Sequence, residues 1–140
     1  MFFVSDALLD QILTDDIPYG DATTALFGIE KIPGIVRCRP KAETTIAGVA
    51  LVERLFARVG LQTTLFHEEG DTVAAGTVIL EGRGPAGAIH AVYKTAQNIL
   101  EYASGIATRT RQMVEEARAG NPLCRVAVTR KHFPGTKTLS

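Results

Sequence analysis

A chain of 140 residues, 46% hydrophobic and 21% charged, has room for one core-forming domain and is too apolar for a disordered segment. Fifteen basic residues balance fifteen acidic ones, which leaves no one-sided basic footprint for nucleic acid. No apolar run approaches the roughly 20 residues of a membrane span, the N-terminus lacks a basic signal-peptide region, and two cysteines far apart in sequence, Cys38 and Cys124, have none of the density of a secreted disulfide framework, so a soluble cytoplasmic protein is expected.

Ser5 is a helix-capping type, and Leu8, Leu9, Ile12 and Leu13 follow at helical spacing, which predicts a short helix over 5–14. Pro18 and Gly20 make DDIPYGDATT a loop. GIVRCRPKAETTIAG reads as one or two strands, with Ile35 set against Arg37 and Arg39. VALVERLFARVG is an amphipathic helix stopped by Gly60, with Leu51, Leu55, Phe56 and Val59 on its buried side. LQTTLFHEEGDTVAAGTVILEGRG is β-rich, its strand segments separated by Gly70-Asp71 and Gly76. From Ala88 the period changes. Ile89, Val92, Ala96, Ile99, Ala103 and Ile106 draw an apolar stripe on a long helix, expected to kink or break at Ser104-Gly105 and to continue to Gly120. NPLCRVAVT is a turn and a short apolar run that suits a parallel strand buried on both faces. The organisation is a mixed α+β domain to about residue 105, then a helix and one buried strand.

Several motifs invite chemistry and do not sustain it. GRGPAG (82–87) has the G-x-G-x-x-G spacing between a strand and a helix, but Pro85 offers no N–H and no acidic residue ends a strand about 20 residues on. It is read as a glycine-rich turn. GDTVAAGTVIL has the turn grammar of lipoyl-type carriers, but a helix separates it from Lys41, which is read as an ordinary exposed lysine. His67, His90 and His132 show no zinc spacing. Asp15-Asp16, Glu68-Glu69 and Glu115-Glu116 are read as solvated faces, and no G-x-S-x-G elbow occurs.

Two features remain. Lys94, Asn98 and Glu101 follow one another along the helix face opposite the apolar stripe. At the other end, TRKHFPGTK places Arg130 and Lys131 directly after the expected buried strand, where ligands bind in α/β architectures. Arginine offers a planar fork for carboxylate or phosphate and lysine a compact charge, with Thr129, Thr136 and Thr138 adding hydroxyls.

YKTAQNILEYASGIATRT followed by TRKHFPG, with YGDATT near the start, resembles the quinolinate phosphoribosyltransferase family. Its signature is a helix Arg-Thr-Ala-Leu-Asn running into Leu-Ser-Gly-Ile-Ala-Thr, then a strand ending Asp-Thr-Arg-Lys-Thr-x-Pro-Gly. The resemblance covers the whole chain. It implies an α+β N-terminal sandwich domain over 1–105 and the beginning of an α/β barrel over 106–140, with the remaining strands absent. It also implies a glycosyltransferase that moves phosphoribosyl from phosphoribosyl pyrophosphate, with Mg2+, onto the nitrogen of an aromatic acid, followed by decarboxylation. Homodimers that share active-site residues are implied too. Arg130 and Lys131 would be catalytic and bind the acid and the donor; Lys94, Asn98, Thr129 and His132 would complete the substrate contacts, and Ser104 and Gly105 match the helix motif. The magnesium ligands would lie outside this chain.

Lys94 stands where the family has an arginine, Val128 where it has aspartate, and Lys137 replaces an arginine after Pro-Gly. This pattern is closer to the ModD branch, the pyrophosphorylases associated with molybdenum transport, and makes quinolinate the weaker choice of acceptor. The 140 residues alone are expected to turn over little or no substrate. The alternative is a non-catalytic association fragment that needs a partner to complete its barrel.

Overall fold

The computed structural model describes residues 4–16, 22–127 and 129. Ser5 opens helix α1 (Asp6–Asp16) as expected: its carbonyl accepts the N–H groups of Leu8 and Leu9, and its Oγ accepts Leu8 N–H at 3.3 Å. Leu9 is buried. Arg58 grips Asp10 with both Nε and Nη2, at 2.6 and 2.7 Å, while Arg54 reaches Val4 O and Asp6. The DDIPYGDATT stretch, expected as loop throughout, is entered by α1 as far as Asp16. Its residues 17–21 lie outside the described ones, and helix α2 (Ala22–Phe27) begins within it.

Strand β1 (Pro33–Cys38) corrects the first strand reading. A two-residue period puts Ile35 on the same face as Arg37, and that face is exposed, with Ile35 at 48%. The inner face is Gly34, Val36 and Cys38. After the short strand β2 (Thr44–Thr45), helix α3 (Val49–Arg58) buries Val49, Val52, Leu55 and Phe56 completely or nearly so; Leu51 and Val59 are only half-buried. Its N-cap is Gly48, held at φ 88° and without a side chain to cap the helix. Glu69 does it instead, accepting Gly48 N–H at 2.9 Å and Ala50 N–H at 3.1 Å. So Glu69, exposed as expected, also caps the helix.

Strands β3 (Gln62–Leu65) and β5 (Leu80–Pro85) complete a three-stranded antiparallel sheet of order β1-β5-β3, while β4 (Thr72–Val73) pairs β2 in a second ladder. The glycines of GRGPAG owe their place to packing. A Cβ on Gly82 would stand 2.7 Å from the Phe56 ring, and one on Gly84 would stand 2.6 Å from Leu61 Cδ2. Helix α3 therefore lies against bare backbone.

Helix α4 (Ala86–Gly120) runs on for 35 residues, so the expected kink or break at Ser104-Gly105 does not interrupt it. The buried line is Val92, Thr95, Ala96, Leu100 and Ser104, and Ile106 is 67% exposed. Polar residues enter that line because they serve backbone. Ser104 Oγ accepts Ala47 N–H and donates to Ala47 O, both at 3.1 Å. One turn later Thr108 Oγ1 accepts Thr45 N–H at 2.9 Å. These hydroxyls stand in for a neighbouring strand along the edge of the 45–47 segment.

Beyond Gly120 the expected buried strand is not formed: 124–127 has no regular structure and is largely exposed. A strand buried on both faces needs neighbours, and none lies beside it among the described residues. No closed barrel exists among them either, nor any helix long and apolar enough to cross a membrane.

Candidate substrate-binding face

Thr95 and Ala96 turn one side of α4 into the core, and the Thr95 hydroxyl donates to Asp16 at the end of α1. That fixes the roll of the helix and leaves Lys94, Asn98 and Glu101 together on its exposed side. Lys94 Nζ lies 5.3 Å from the centroid of the Tyr93 ring, within cation–π range, and that ring meets His90 at 5.9 Å. Glu101 is held by Gln97 Nε2 at 2.8 Å. Thr129 is exposed. The candidates Arg130, Lys131 and His132, like Val128 and Lys137, lie outside the described residues.

The helix sets a distance between the two groups of candidates. Lys94 stands about 39 Å along the axis from Gly120. The nine residues from Gly120 to Thr129 reach ~30 Å at most when extended, and a turn closed by Cys124 N–H on Asn121 O shortens them. Within one chain Thr129 falls short of Lys94 even if the segment runs straight back along the helix.

The sequence reading missed a second ionic centre on the outer face of the sheet. Glu81, 5% exposed, accepts Arg37 Nε and Arg83 Nε, each at 2.6 Å. Arg37, and next Arg83, hold its carboxyl below the usual glutamate range, against burial that pushes it up. Only the strand register, with Arg37 opposite Glu81, reveals the pair. Because the folded pKa is depressed, the stabilisation is present above the unfolded value of about 4.3 and is lost as pH falls through the folded value. Urea midpoints should therefore drop between pH 5 and pH 3, and Glu81→Gln should flatten that drop; an unchanged slope would contradict the pairing.

Other chemistry is weakly supplied. Burial pushes the Cys38 thiol up to about 11, so it offers no thiolate at neutral pH. The polar cleft between the β2–β4 ladder and α4 is lined by side chains that already bind one another, Thr45 with Thr72 at 3.1 Å and Arg111 with Glu115 at 2.9 Å. Among the described residues no group of three His, Cys, Asp or Glu side chains comes together as a metal cluster.

A model of the quinolinate phosphoribosyl transferase N-terminal domain matches residues 21–104, and the chain belongs to that family. Its relatives come from two groups. A Pasteurella multocida protein named pyrophosphorylase ModD is 36% identical over 140 residues, which is all of this chain and 50% of the relative. A nicotinate-nucleotide pyrophosphorylase (carboxylating) of Archaeoglobus fulgidus is 37% identical over 119 residues, 85% of this chain and 45% of the relative. The solved nicotinate-nucleotide pyrophosphorylase of Francisella tularensis superposes with a TM-score of 0.86 at 24% identity, covering 99% of this chain and 50% of that one, a likeness of fold. The α+β unit is thus the family's N-terminal sandwich domain, followed by the beginning of its barrel. The chain spans about half the length of the curated relatives it matches.

Proposed function

We propose that these residues form the acid-binding half of a ModD-like phosphoribosyltransferase site in a cytoplasmic homodimer. The observation that carries the reading is the placement of Lys94 and Asn98 on the exposed side of α4, directly opposite a turn that the core holds in place. Arg130 and Lys131 neutralise the acid's carboxylate and the phosphates of phosphoribosyl pyrophosphate while positive charge develops at the ribose carbon. Magnesium, when bound with the donor, offsets the charge of the leaving pyrophosphate. Lys94 takes a second anionic group of the acceptor. As a compact charge it does not reproduce an arginine's bidentate grip, which favours an aromatic acid other than quinolinate. The distance from Lys94 to Thr129 supports sharing between copies: Lys94 of one serves the strand-end loop of the other.

Pyrophosphate release tests this, with phosphoribosyl pyrophosphate, Mg2+ and a panel of pyridine and pyrimidine acids. A polypeptide of the relatives' full length that carries these residues should release pyrophosphate only when an acid is present. Residues 1–140 alone should release little or none. Robust release from the 140 residues overturns the half-site reading, and no release with any acid from the longer chain overturns the transferase.

A further inference from the structure

Gly105 lies in the middle of α4, exposed, with nothing within 4 Å of the position its Cβ would take. Glycine is among the least favourable residues for a helix interior. At Gly82 and Gly84 a close neighbour explains the choice; at Gly105 no described residue does. The same face carries Glu101 one turn before it and Arg109 one turn after it, both exposed, with Asn98 and Gln112 next in line. Tyr102, 77% exposed, and Ile106, 67% exposed, flank the glycine with apolar surface. About Gly105 the face is self-complementary: an acid four residues to one side, a base four residues to the other, and an amide at seven residues on both.

A two-fold axis turns such a face into an interface, because each position then meets its mirror in the sequence. We propose that two copies of the chain pair antiparallel along α4, crossing at Gly105, so that Glu101 of each meets the partner's Arg109. The missing side chain lets the two helix backbones approach closely at the crossing, and a shallow angle keeps them side by side over several turns. This rests on the homodimer of the proposed function and places its axis. The pairing also bridges the distance along α4. Lys94, eleven residues before the crossing, comes opposite the partner's Glu116, beside the end of the helix from which the partner's Thr129 follows. A helix pair alone buries less than the ~1,200 Å2 of a stable interface, so the seam is the centre of a wider contact.

Sedimentation equilibrium on charge-reversed variants tests the seam. Glu101→Arg and Arg109→Glu should each weaken dimerisation by about tenfold or more. The double reversal should restore it to within about threefold of the parent, because it rebuilds the same pair with the signs exchanged. Gly105→Leu, which meets open space in a single chain, should leave the helical circular dichroism intact and shift the equilibrium to monomer. A parent protein that stays monomeric at all concentrations overturns the seam and the homodimer together. A dimer unmoved by Gly105→Leu or by the single reversals, or one that the double reversal fails to restore, overturns the seam and leaves the transferase reading standing.

Discussion

Replacing Ser104 with alanine should cost about 3 kcal/mol of folding stability, although the change removes a single atom. The Ser104 hydroxyl is buried and serves both the N–H and the carbonyl of Ala47, so its loss strands two backbone groups at once. Each buried polar group left unpaired costs about 1–3 kcal/mol, and the better helix propensity of alanine returns only about 0.5 kcal/mol. Thr108→Val strands only Thr45 N–H and should cost about half as much. Thr110 is the control. Its hydroxyl donates to Ile106 O in its own helix and bridges nothing else, so Thr110→Ala should move the urea midpoint little. Equal effects at Ser104 and Thr110 would mean that α4 does not clamp the 45–47 edge.

The second large effect falls on Gly82. An alanine there brings its Cβ within 2.7 and 2.8 Å of two atoms of the Phe56 ring and 3.1 Å of Val36 Cγ1. Phe56 is fully buried and rigid, so the clash must be absorbed by shifting α3 off the sheet. Overpacking of this kind costs roughly 1–3 kcal/mol, against a gain of about 0.5–1 kcal/mol for removing a glycine from a strand, leaving a net loss of about 1 kcal/mol. At Gly84 the closest atom is the far end of the Leu61 side chain, buried but more flexible than a ring. Gly84→Ala should then cost less than Gly82→Ala. Thermal or urea unfolding of the two variants separates a rigid neighbour from a yielding one; equal losses would contradict the packing.

Much of this was legible in the sequence because local signals agreed with the fold. The Ser5 cap, the amphipathic stretch at α3 and the long apolar stripe of α4 each mark a real element. What failed depended on partners distant in sequence. Val49 and Val52 outrank Leu51 and Val59 because the sheet and α4 decide which part of a wide apolar stripe is covered. Serine beside glycine in mid-helix suggests a weak point until Ala47 is seen to need the hydroxyl. Arg37 and Glu81 are 44 residues apart and meet only through the strand register. RVAV has the composition of a buried strand, but composition supplies no neighbours, and the segment is largely exposed. Of the candidate site, the face bearing Lys94 and Asn98 follows from helical spacing alone. Arg130, Lys131 and His132 lie outside the described residues and rest on the family motif.

Acid binding by the 140-residue protein is the most direct test of the proposed half-site. Calorimetric titration with a panel of pyridine carboxylates should give saturable binding to at least one of them, lost in an Arg130→Ala, Lys131→Ala double variant and weakened about tenfold by Lys94→Ala. Binding that is indifferent to all three residues, or no binding by any acid at millimolar concentration, would contradict it.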